Sequence, residues 1–263
     1  KSVTSMLVGL ALQRGRLRSL DEPVRHLLPH AVASVPGSVL AGVSLRQILQ
    51  GRTGAAFEIA RAAEMLGAAE PLRFALRACR VAPPSRSGWT YNDAAISLLS
   101  PILQVAEGAS LASLASRALF APLGIRRFAW RRDLRDRPLA HAGLALRPRD
   151  LAKLAWLMLQ HGRWQDRERL PADWVAESTR SHGPVEWRAP PMQDLGYGHL
   201  WFTGRLQARP LVWAQGYGGQ FALIAPAQRL VVATAATSPA PQKAAVQMQA
   251  VRALLARIVL AAA

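Results

Sequence analysis

Apolar and polar positions follow two different periods along this chain. Up to Gly162 the apolar residues recur at steps of three and four, as in the segment LRPRDLAKLAWLMLQHG, and this spacing predicts amphipathic helices. Beyond Gly196 short runs rich in aromatic and β-branched residues are separated by Gly, Pro or polar breaks, which predicts antiparallel strands. These runs are GYGHLWF, RPLVWAQG, QFALIAP and RLVVATAA. The last segment, VQMQAVRALLARIVLAA, returns to the helical period.

The order of the two periods predicts an α+β fold with a mainly helical region beside a late sheet. We expect a single domain over residues 1–263, with the mainly helical region at about 45–160 and the C-terminal strands and closing helix at about 195–263. Val3 already belongs to a helical period, and Lys1 and Ser2 stand where the second or third residue of a helix would be, so we expect the chain to start inside a domain.

Composition narrows the class of protein. Hydrophobic residues make up 51% of the chain and charged residues 19%, which is typical of a globular protein. No uninterrupted apolar run reaches about 18 residues, so we expect no transmembrane segment. The start of the chain does not resemble a signal peptide, and localisation stays open between cytoplasm and periplasm or secretion. The single cysteine, Cys79, is expected to be an inert, partly buried thiol.

The formal charge of +17 raises the question of nucleic-acid binding. Of the 33 basic residues only Lys1, Lys153 and Lys243 are lysines, and the arginines are scattered rather than gathered in one block. We therefore expect a solvated basic surface and no specific nucleic-acid partner. The alternative, an arginine-rich nucleic-acid binder, would show steeply salt-dependent retention on DNA.

The histidines do not follow a known metal-binding spacing such as H-E-x-x-H. We expect each of them to be a surface or capping residue, and we expect no metal and no cofactor; the five considered are His30, His141, His161, His182 and His199. A Ser-His-Asp triad is conceivable on composition, but the chain has no G-x-S-x-G elbow to carry it.

A series of short motifs resembles one enzyme family over almost the whole chain. The motifs are, in order, SLDEPV, SLRQILQGRTG, YND, LFAPLGI, LRPRDLAKLAWLMLQHGRW, LPADWV, GYGHLWF and AQGYGGQ. Together they resemble the serine β-lactamase-like hydrolases, which include penicillin-binding DD-peptidases, class C β-lactamases, esterases and 6-aminohexanoate-dimer hydrolases. The resemblance implies a β-lactamase/transpeptidase-like fold, an antiparallel sheet with flanking helices plus the helical region, here without its N-terminal strands.

The opening stretch KSVTSMLVG resembles the family sequence from the lysine of S-x-x-K onward. Lys1 is then the motif lysine, and the nucleophilic serine would stand three residues before it, because no S-x-x-K occurs within the 263 residues. Such a lysine lies one helical turn from the serine and can take its proton when the amine is neutral. The alternative is an ordinary lysine at a frayed helix end.

The triplet YND resembles the Tyr-x-Asn element of the family. The resemblance implies that Tyr91 shares protons with the serine and lysine, whereas Asp93 stands where an asparagine is more usual. A carboxylate has no amide donor, which makes a strict β-lactamase less probable. The alternative is a loop-to-helix junction capped by Asn92 or Asp93.

The stretch AQGYGGQ resembles the strand that carries Lys-Thr-Gly or His-x-Gly in lactamases and peptidases. Gln215, Gly216 and Tyr217 are the candidate substrate-binding and oxyanion residues, with Gly216 allowing close approach to the backbone. A glycine-rich hairpin turn is the alternative. Without the family's cation at this strand, uncharged amides or esters are the expected substrates, unless Arg209 or another arginine replaces it.

The sequence thus predicts a serine hydrolase that acts on a small amide or ester through an acyl-enzyme. An inactive β-lactamase-like binding protein is one alternative, and a β-lactamase or DD-peptidase acting on peptidoglycan-type substrates is the other. Trp89 and Trp213 flank two of the motifs and are candidates for a pocket wall. The oligomeric state is left open.

Overall fold

The helices and strands of the computed structural model, which describes residues 1–237 and 239–262, follow the two predicted periods. The helices are α1 (Ser2–Gln13), α2 (Val24–Leu27), α3 (Pro29–Ala33), α4 (Leu45–Gln50), α5 (Ala62–Gly67), α6 (Pro71–Ala78), α7 (Asp93–Ser97), α8 (Leu99–Glu107), α9 (Leu111–Ala115), α10 (Pro148–Leu159), α11 (Ala172–Thr179) and α12 (Pro241–Ala261). Short 3-10 or π turns add Ile59–Arg61, Ser116–Phe120, Ala121–Leu123 and Pro226–Gln228.

The strands are short in the first part of the chain and longer near its end. They are β1 (Ala55–Ala56), β2 (Arg80–Val81), β3 (Phe128–Trp130), β4 (Leu144–Leu146), β5 (Arg163–Trp164), β6 (Arg167–Glu168), β7 (Gln193–Tyr197), β8 (Phe202–Leu206), β9 (Arg209–Gly216), β10 (Gln220–Ala225) and β11 (Leu230–Thr234). The predicted α+β class is confirmed. The chain divides into two compact units, residues 1–145 and 146–263, and the expectation of one domain stays a prediction.

The first unit is built around α1. Every residue from Ser2 to Ala11 is buried, and the helix packs against α8 and α9. A helix surrounded in this way needs apolar or small side chains on all faces, and the opening sequence supplies them. In α4, Ser44 and Gln47 form a capping box, and Gly51 ends the helix in the left-handed conformation at φ 65°.

The second unit contains the main sheet. Its five antiparallel strands have the order β11-β10-β9-β8-β7, and α10 packs against β10 and β11. Leu223 and Trp213 face each other across β10 and β9 and are both buried. Short connections between neighbouring strands produce this antiparallel order without a crossover.

One predicted strand is wrong in its extent. The run GYGHLWF is not one strand: β7 ends at Tyr197, β8 begins at Phe202, and the residues between them form the connection. Leu200 adopts a left-handed conformation there, with φ 61°. The aromatic and apolar residues in and beside this turn are buried, so the turn has the amino-acid composition that is typical of a strand.

The expectation of no membrane-spanning segment stays a prediction. Among the described residues, Gln242–Ala261 of α12 is long and apolar enough to cross a membrane, with a mean hydropathy of 1.4. Arg252 and Arg257 interrupt its apolar run, which is why a search for uninterrupted runs passes over it. Length and composition alone are weak support for a span, because core helices of soluble proteins meet the same criterion.

Candidate active site

Lys1 stands at the N-terminal end of α1, and neighbouring residues fix its backbone. The carbonyl oxygen of Lys1 accepts a hydrogen bond from the amide of Ser5 at 3.0 Å. One turn into the helix, the hydroxyl of Thr4 donates to the carbonyl of Ala140 at 2.8 Å. Because α1 is buried along this stretch, the side chain of Lys1 leaves the helix from a fixed point.

Asn92, rather than Asp93, caps the helix that follows the YND triplet. Its side-chain oxygen accepts from the amide of Ala95 at 2.8 Å, and its amide nitrogen donates to the carbonyl of Ala55 at 2.8 Å. Asn92 is buried, and with donor and acceptor both engaged it has a structural role. This leaves its neighbours in the triplet, Tyr91 and Asp93, as the chemically relevant pair.

Three of the sequence-predicted site residues come together around the lysine amine. Lys1 Nζ lies 3.3 Å from Asp93 Oδ1, and the two side chains are only 20% and 13% exposed. The same Nζ lies 5.0 Å from the centre of the Tyr91 ring, within the range of a cation–π contact. We call Lys1, Tyr91 and Asp93 the Lys1 centre.

The contact between Lys1 and Asp93 is an ion pair without hydrogen-bond alignment. Oδ1 of Asp93 is buried and makes no hydrogen bond among the described residues, although the amine is within 3.3 Å. Attraction between opposite charges needs no particular angle, whereas a hydrogen bond does. The amine is therefore held beside the carboxylate by charge.

His141 is a component of this region that the sequence prediction missed. It was expected to be a surface or capping residue, but it is only 4% exposed, and its Nδ1 makes no hydrogen bond among the described residues. Burial lowers the pKa of His141 to about 4, with Asp93 acting in the opposite direction and Lys1 in the same one. The imidazole is therefore neutral at pH 7 and adds no charge beside the ion pair.

The position of His141 comes from tertiary structure. It lines a small cavity of about 30 Å³ in the first unit, together with Ser100, Pro101 and Arg137. A space of this size corresponds to about one water molecule. No spacing in the sequence links residue 141 to residues 1 and 93, so only the packing of the first unit could reveal this neighbour.

The remaining predicted site residues, Gln215, Gly216 and Tyr217, lie in the second unit at the end of β9. The ladder between β9 and β8 ends at Trp213, opposite Phe202, whereas the ladder with β10 continues to Gly216, opposite Gln220. The residues of β9 after Trp213 are thus paired with β10 but not with β8. On the β8 side their backbone N–H and C=O groups are therefore not used by the sheet, and a ligand can bind to them.

The same residues also form a tight turn. Gly218 and Gly219 have φ values of 86° and 100°, which favour glycine, and Tyr217 at the tip of the hairpin is exposed. Nε1 of Trp213 donates to the side chain of Gln215 at 3.4 Å. The hairpin interpretation is thus correct for the backbone, and it is compatible with an oxyanion role of Gly216.

Two suggestions about neighbouring residues need correction. Arg209 is at the opposite end of β9 from Gly216, about 23 Å away at the rise of an extended strand, and its guanidinium donates to the carbonyl of Val259 at 2.7 Å. It does not replace a cation beside Gly216. Trp213 is buried and stacks on Phe202 at 5.8 Å, so it belongs to the core. Trp89 lies 6.2 Å from Tyr91, ring centre to ring centre.

Cys79 is the inert thiol that the sequence predicts, and it is fully rather than partly buried. Its sulfur contacts the side chain of Asn92 at 3.6 Å and 3.8 Å. Burial raises the pKa of the Cys79 thiol to about 11, in spite of the hydrogen bond with Asn92. A thiol that stays protonated is a poor nucleophile.

A second polar cluster lies in the second unit, formed by Glu177, His182 and His199. Each of these side chains offers one ligand atom, and the three atoms lie within 4.8 Å of one another. His199 was expected at the surface, yet it is fully buried. The three residues have no metal-binding spacing in sequence, because the connection between β7 and β8 brings His199 to the end of α11. We call them the histidine cluster.

Comparison with known proteins adds to this geometry. The family model described as Beta-lactamase matches residues 1–257. A proposed 6-aminohexanoate-dimer hydrolase from Bacillus anthracis has a similar structure, with a TM-score of 0.78 at 15% identity, covering 98% of this chain and 70% of that one. No curated protein sequence matches the chain at a significant level.

Two further solved structures are similar. The octameric penicillin-binding protein homologue from Pyrococcus abyssi gives a TM-score of 0.72 at 20% identity, covering 97% of this chain and 64% of that one. The class C β-lactamase from Rhodobacter sphaeroides gives 0.68 at 20% identity, covering 96% and 82%. At these identities the structures show a shared fold.

Proposed function

The chain belongs to the β-lactamase family, and from that membership we propose that it is a serine hydrolase that cleaves an amide or an ester through an acyl-enzyme. The observation that carries the proposal is the Lys1 centre. An amine that lies 3.3 Å from a carboxylate and 5.0 Å from a tyrosine ring, at the start of a buried helix, is in position to exchange protons with a hydroxyl one helical turn away.

In this proposal the nucleophile is a serine three residues before Lys1. Its hydroxyl proton passes to the neutral amine of Lys1 while Oγ bonds to the substrate carbonyl carbon. The C–N or C–O bond to the leaving group then breaks, and the leaving group takes a proton from the Lys1 centre. Water attacks the resulting acyl-serine, the acid leaves, and the serine recovers its proton.

Asp93 and Tyr91 have different roles in this cycle. Asp93 stabilises the ammonium that forms when Lys1 accepts a proton, because opposite charges in a partly buried place attract strongly. Tyr91, next to the amine, relays the proton between serine, lysine and leaving group. In the second unit, the backbone N–H of Gly216 is the proposed oxyanion donor, and Gln215 and Tyr217 are the proposed substrate contacts.

The proposed substrate is an uncharged amide or ester. Asp93 has acceptors where the family's asparagine has an amide donor, Ala214 stands where lactamases carry a cation, and Arg209 is engaged at the other end of β9. A substrate carboxylate therefore lacks an evident partner among these residues, and a β-lactam or peptidoglycan stem is disfavoured.

One observation favours a second candidate, an inactive binding protein. Lys1 and Asp93 form an ion pair, and a lysine that only holds a carboxylate in place has a structural role. If that is its role, the pocket binds an amide or ester without cleaving it. The two candidates share a fold and a ligand class, and they differ in whether a covalent intermediate forms.

Covalent labelling separates the two candidates. The protein, expressed from its own start codon, is incubated with a fluorophosphonate probe and with p-nitrophenyl esters, and the label is mapped by mass spectrometry. We expect label on a serine three residues before Lys1, and its loss in the Lys1→Ala and Tyr91→Phe variants. Folded protein that takes no label would establish the inactive binder, and rapid turnover of a chromogenic cephalosporin would instead establish a β-lactamase.

A further inference from the structure

The histidine cluster brings together two imidazoles and a carboxylate that the proposed hydrolysis does not use. We propose that Glu177, His182 and His199 bind one divalent transition-metal ion of the zinc class, with water completing the coordination. Two nitrogen ligands and one oxygen ligand suit Zn²⁺ and its neighbours, whereas Mg²⁺ and Ca²⁺ prefer oxygen ligands throughout. This inference is independent of the proposed hydrolase activity.

Backbone contacts fix the segments that carry the three ligands. The amide of His199 donates to the carbonyl of Ser178 at 2.9 Å, and the amide of His182 donates to the carbonyl of Tyr197 at 2.8 Å. Gly198 makes the approach possible, because a Cβ there would lie 2.1 Å from the carbonyl oxygen of Ser178. The connection between β7 and β8 is thus held against the end of α11.

His182 presents the same ring nitrogen to the backbone and to the carboxylate of Glu177. Its Nε2 lies 2.9 Å from the backbone carbonyl oxygen of Glu177 and 3.6 Å from Oε1 of the same residue. A carbonyl oxygen only accepts, so in this arrangement Nε2 carries the hydrogen. Binding of a metal ion between His182 and Glu177 therefore requires the ring to give up this hydrogen bond, and the freed nitrogen then becomes the ligand.

The two imidazoles are stacked. The rings of His182 and His199 lie 4.6 Å apart, centre to centre, with planes inclined by 6°. A ring nitrogen binds a metal ion in the plane of its ring, so two parallel rings do not point at one ion. One of the rings must therefore turn, and His199, which is fully buried, is the ring that keeps its place.

Binding requires only a local rearrangement. In tetrahedral coordination with zinc–nitrogen bonds of about 2.0–2.1 Å, two ligand nitrogens are about 3.3 Å apart, compared with the 4.8 Å limit within which the three ligand atoms lie here. Trp174 packs against His199 at 5.1 Å and holds that ring. Rotation of the His182 ring and a shift of Glu177 therefore close the site.

Glu177 is the ligand that solvent reaches, and Arg180 competes with a metal ion for its carboxylate. Its side chain is 35% exposed, which gives an ion access from solvent. Arg180 donates to both of its oxygens at 2.9 Å. A metal ion must therefore displace an exposed arginine from the carboxylate.

Metal titration of the EDTA-treated protein tests the proposal. Calorimetry with Zn²⁺ should give one equivalent per chain, and Co²⁺ should give the visible absorption of a four-coordinate site. We expect Glu177→Gln and His182→Phe each to weaken Zn²⁺ binding at least tenfold, since each removes a ligand; His182→Phe retains the stacked ring. Glu168→Gln and His161→Phe, which change exposed residues of the same unit, are matched controls and should bind as the parent does.

Thermal melting separates loss of a ligand from loss of the fold. Zn²⁺ should raise the melting temperature of the parent and of the two controls, because a ligand that binds only the folded state stabilises it. The Glu177→Gln and His182→Phe variants should melt cooperatively without that rise. A folded parent that binds no Zn²⁺, or ligand variants that bind it as tightly as the controls, would show that the cluster is only a packed pair of rings.

Discussion

The Lys1 centre and the histidine cluster are both groups of polar side chains, but their charged and neutral members are arranged differently. In the Lys1 centre a cation and an anion from distant parts of the chain face each other at 3.3 Å, beside a neutral histidine. In the histidine cluster two stacked rings share one carboxylate with a surface arginine. The first arrangement suits the movement of a proton, and the second gathers nitrogen and oxygen atoms of the kind that bind a metal ion.

The difference also lies in how the two sites are assembled. The Lys1 centre depends on the contact between the start of α1 and the loop before α7, 90 residues further on. The histidine cluster forms between the end of α11 and the next connection of the sheet, within 22 residues of chain. A centre built from remote elements is expected to respond to any change in packing, whereas a local cluster is expected to respond mainly to changes in its own residues.

The largest effect is expected from Lys1→Ala. If Lys1 is the base of the acylation step, its loss should lower kcat/KM for p-nitrophenyl esters about 10²–10⁴-fold, the usual contribution of general acid–base catalysis. The measurement is the rate of ester cleavage together with the rate of fluorophosphonate labelling. Both rates should fall together, because both need the activated serine.

Lys153→Ala is the matched control for this substitution. Lys153 pairs with Asp150 at 3.0 Å and is also partly buried, so its removal breaks a comparable ion pair outside the Lys1 centre. We expect its labelling rate to stay within about twofold of the parent, since partly exposed pairs contribute little. Equal losses in the two variants would mean that Lys1 acts through stability alone.

The next largest effect concerns acid stability through His141. The folded pKa is about 4, below the ordinary value of 6.5, so as pH falls the unfolded chain binds a proton that the folded chain does not yet accept. The contribution is fully present above pH 6.5 and is lost as the pH falls towards 4. The loss amounts to about 3 kcal/mol, at 1.36 kcal/mol per pH unit.

Urea unfolding of the His141→Gln variant at several pH values measures this contribution. The variant should lose less stability between pH 7 and pH 4 than the parent does, because its side chain does not titrate. His30→Gln, at an exposed histidine, should leave the pH dependence unchanged. If the parent and the His141→Gln variant show the same acid slope, His141 is accessible to protons in the folded protein.

The helices and the sheet were largely predictable because their signals are local. The capping box of Ser44 and Gln47 and the glycine at position 51 mark α4 in the sequence as they do in the structure. The strand β9 coincides with the run RPLVWAQG. The turn between β7 and β8 was not predictable, since its buried aromatic residues have the composition of a strand while the backbone direction depends on contacts with α11.

The candidate site was predictable only where a motif exists. Lys1, Tyr91 and Asp93 were found through their resemblance to family motifs, and the structure brings them together. His141 and the histidine cluster carry no sequence signal. Their proximity arises from packing between segments whose spacing in the chain is unrelated to their distance in space.

A smaller effect is expected from Asp93→Asn, which removes the charge but retains the shape. Because the pair is partly buried, we expect a loss of about 1–2 kcal/mol in unfolding free energy, between the values for exposed and buried pairs.

The Asp93→Asn variant also restores the amide donor that the family triplet usually has. We therefore expect any residual cleavage of a β-lactam, measured with a chromogenic cephalosporin, to rise relative to ester cleavage. A parallel decline of both activities would show that Asp93 acts only by holding Lys1.

The smallest effect is expected in the histidine cluster from Arg180→Ala. Arg180 is exposed and competes with a metal ion for the two oxygens of Glu177, and an exposed ion pair of this kind is worth about 0.2–1 kcal/mol. Its removal should therefore strengthen Zn²⁺ binding by about two- to fivefold in calorimetry. Arg163→Ala, at an exposed arginine of the same unit, should leave the affinity unchanged. Because Arg180 competes with the metal ion rather than binding it, an affinity that falls in Arg180→Ala would place the ion away from Glu177.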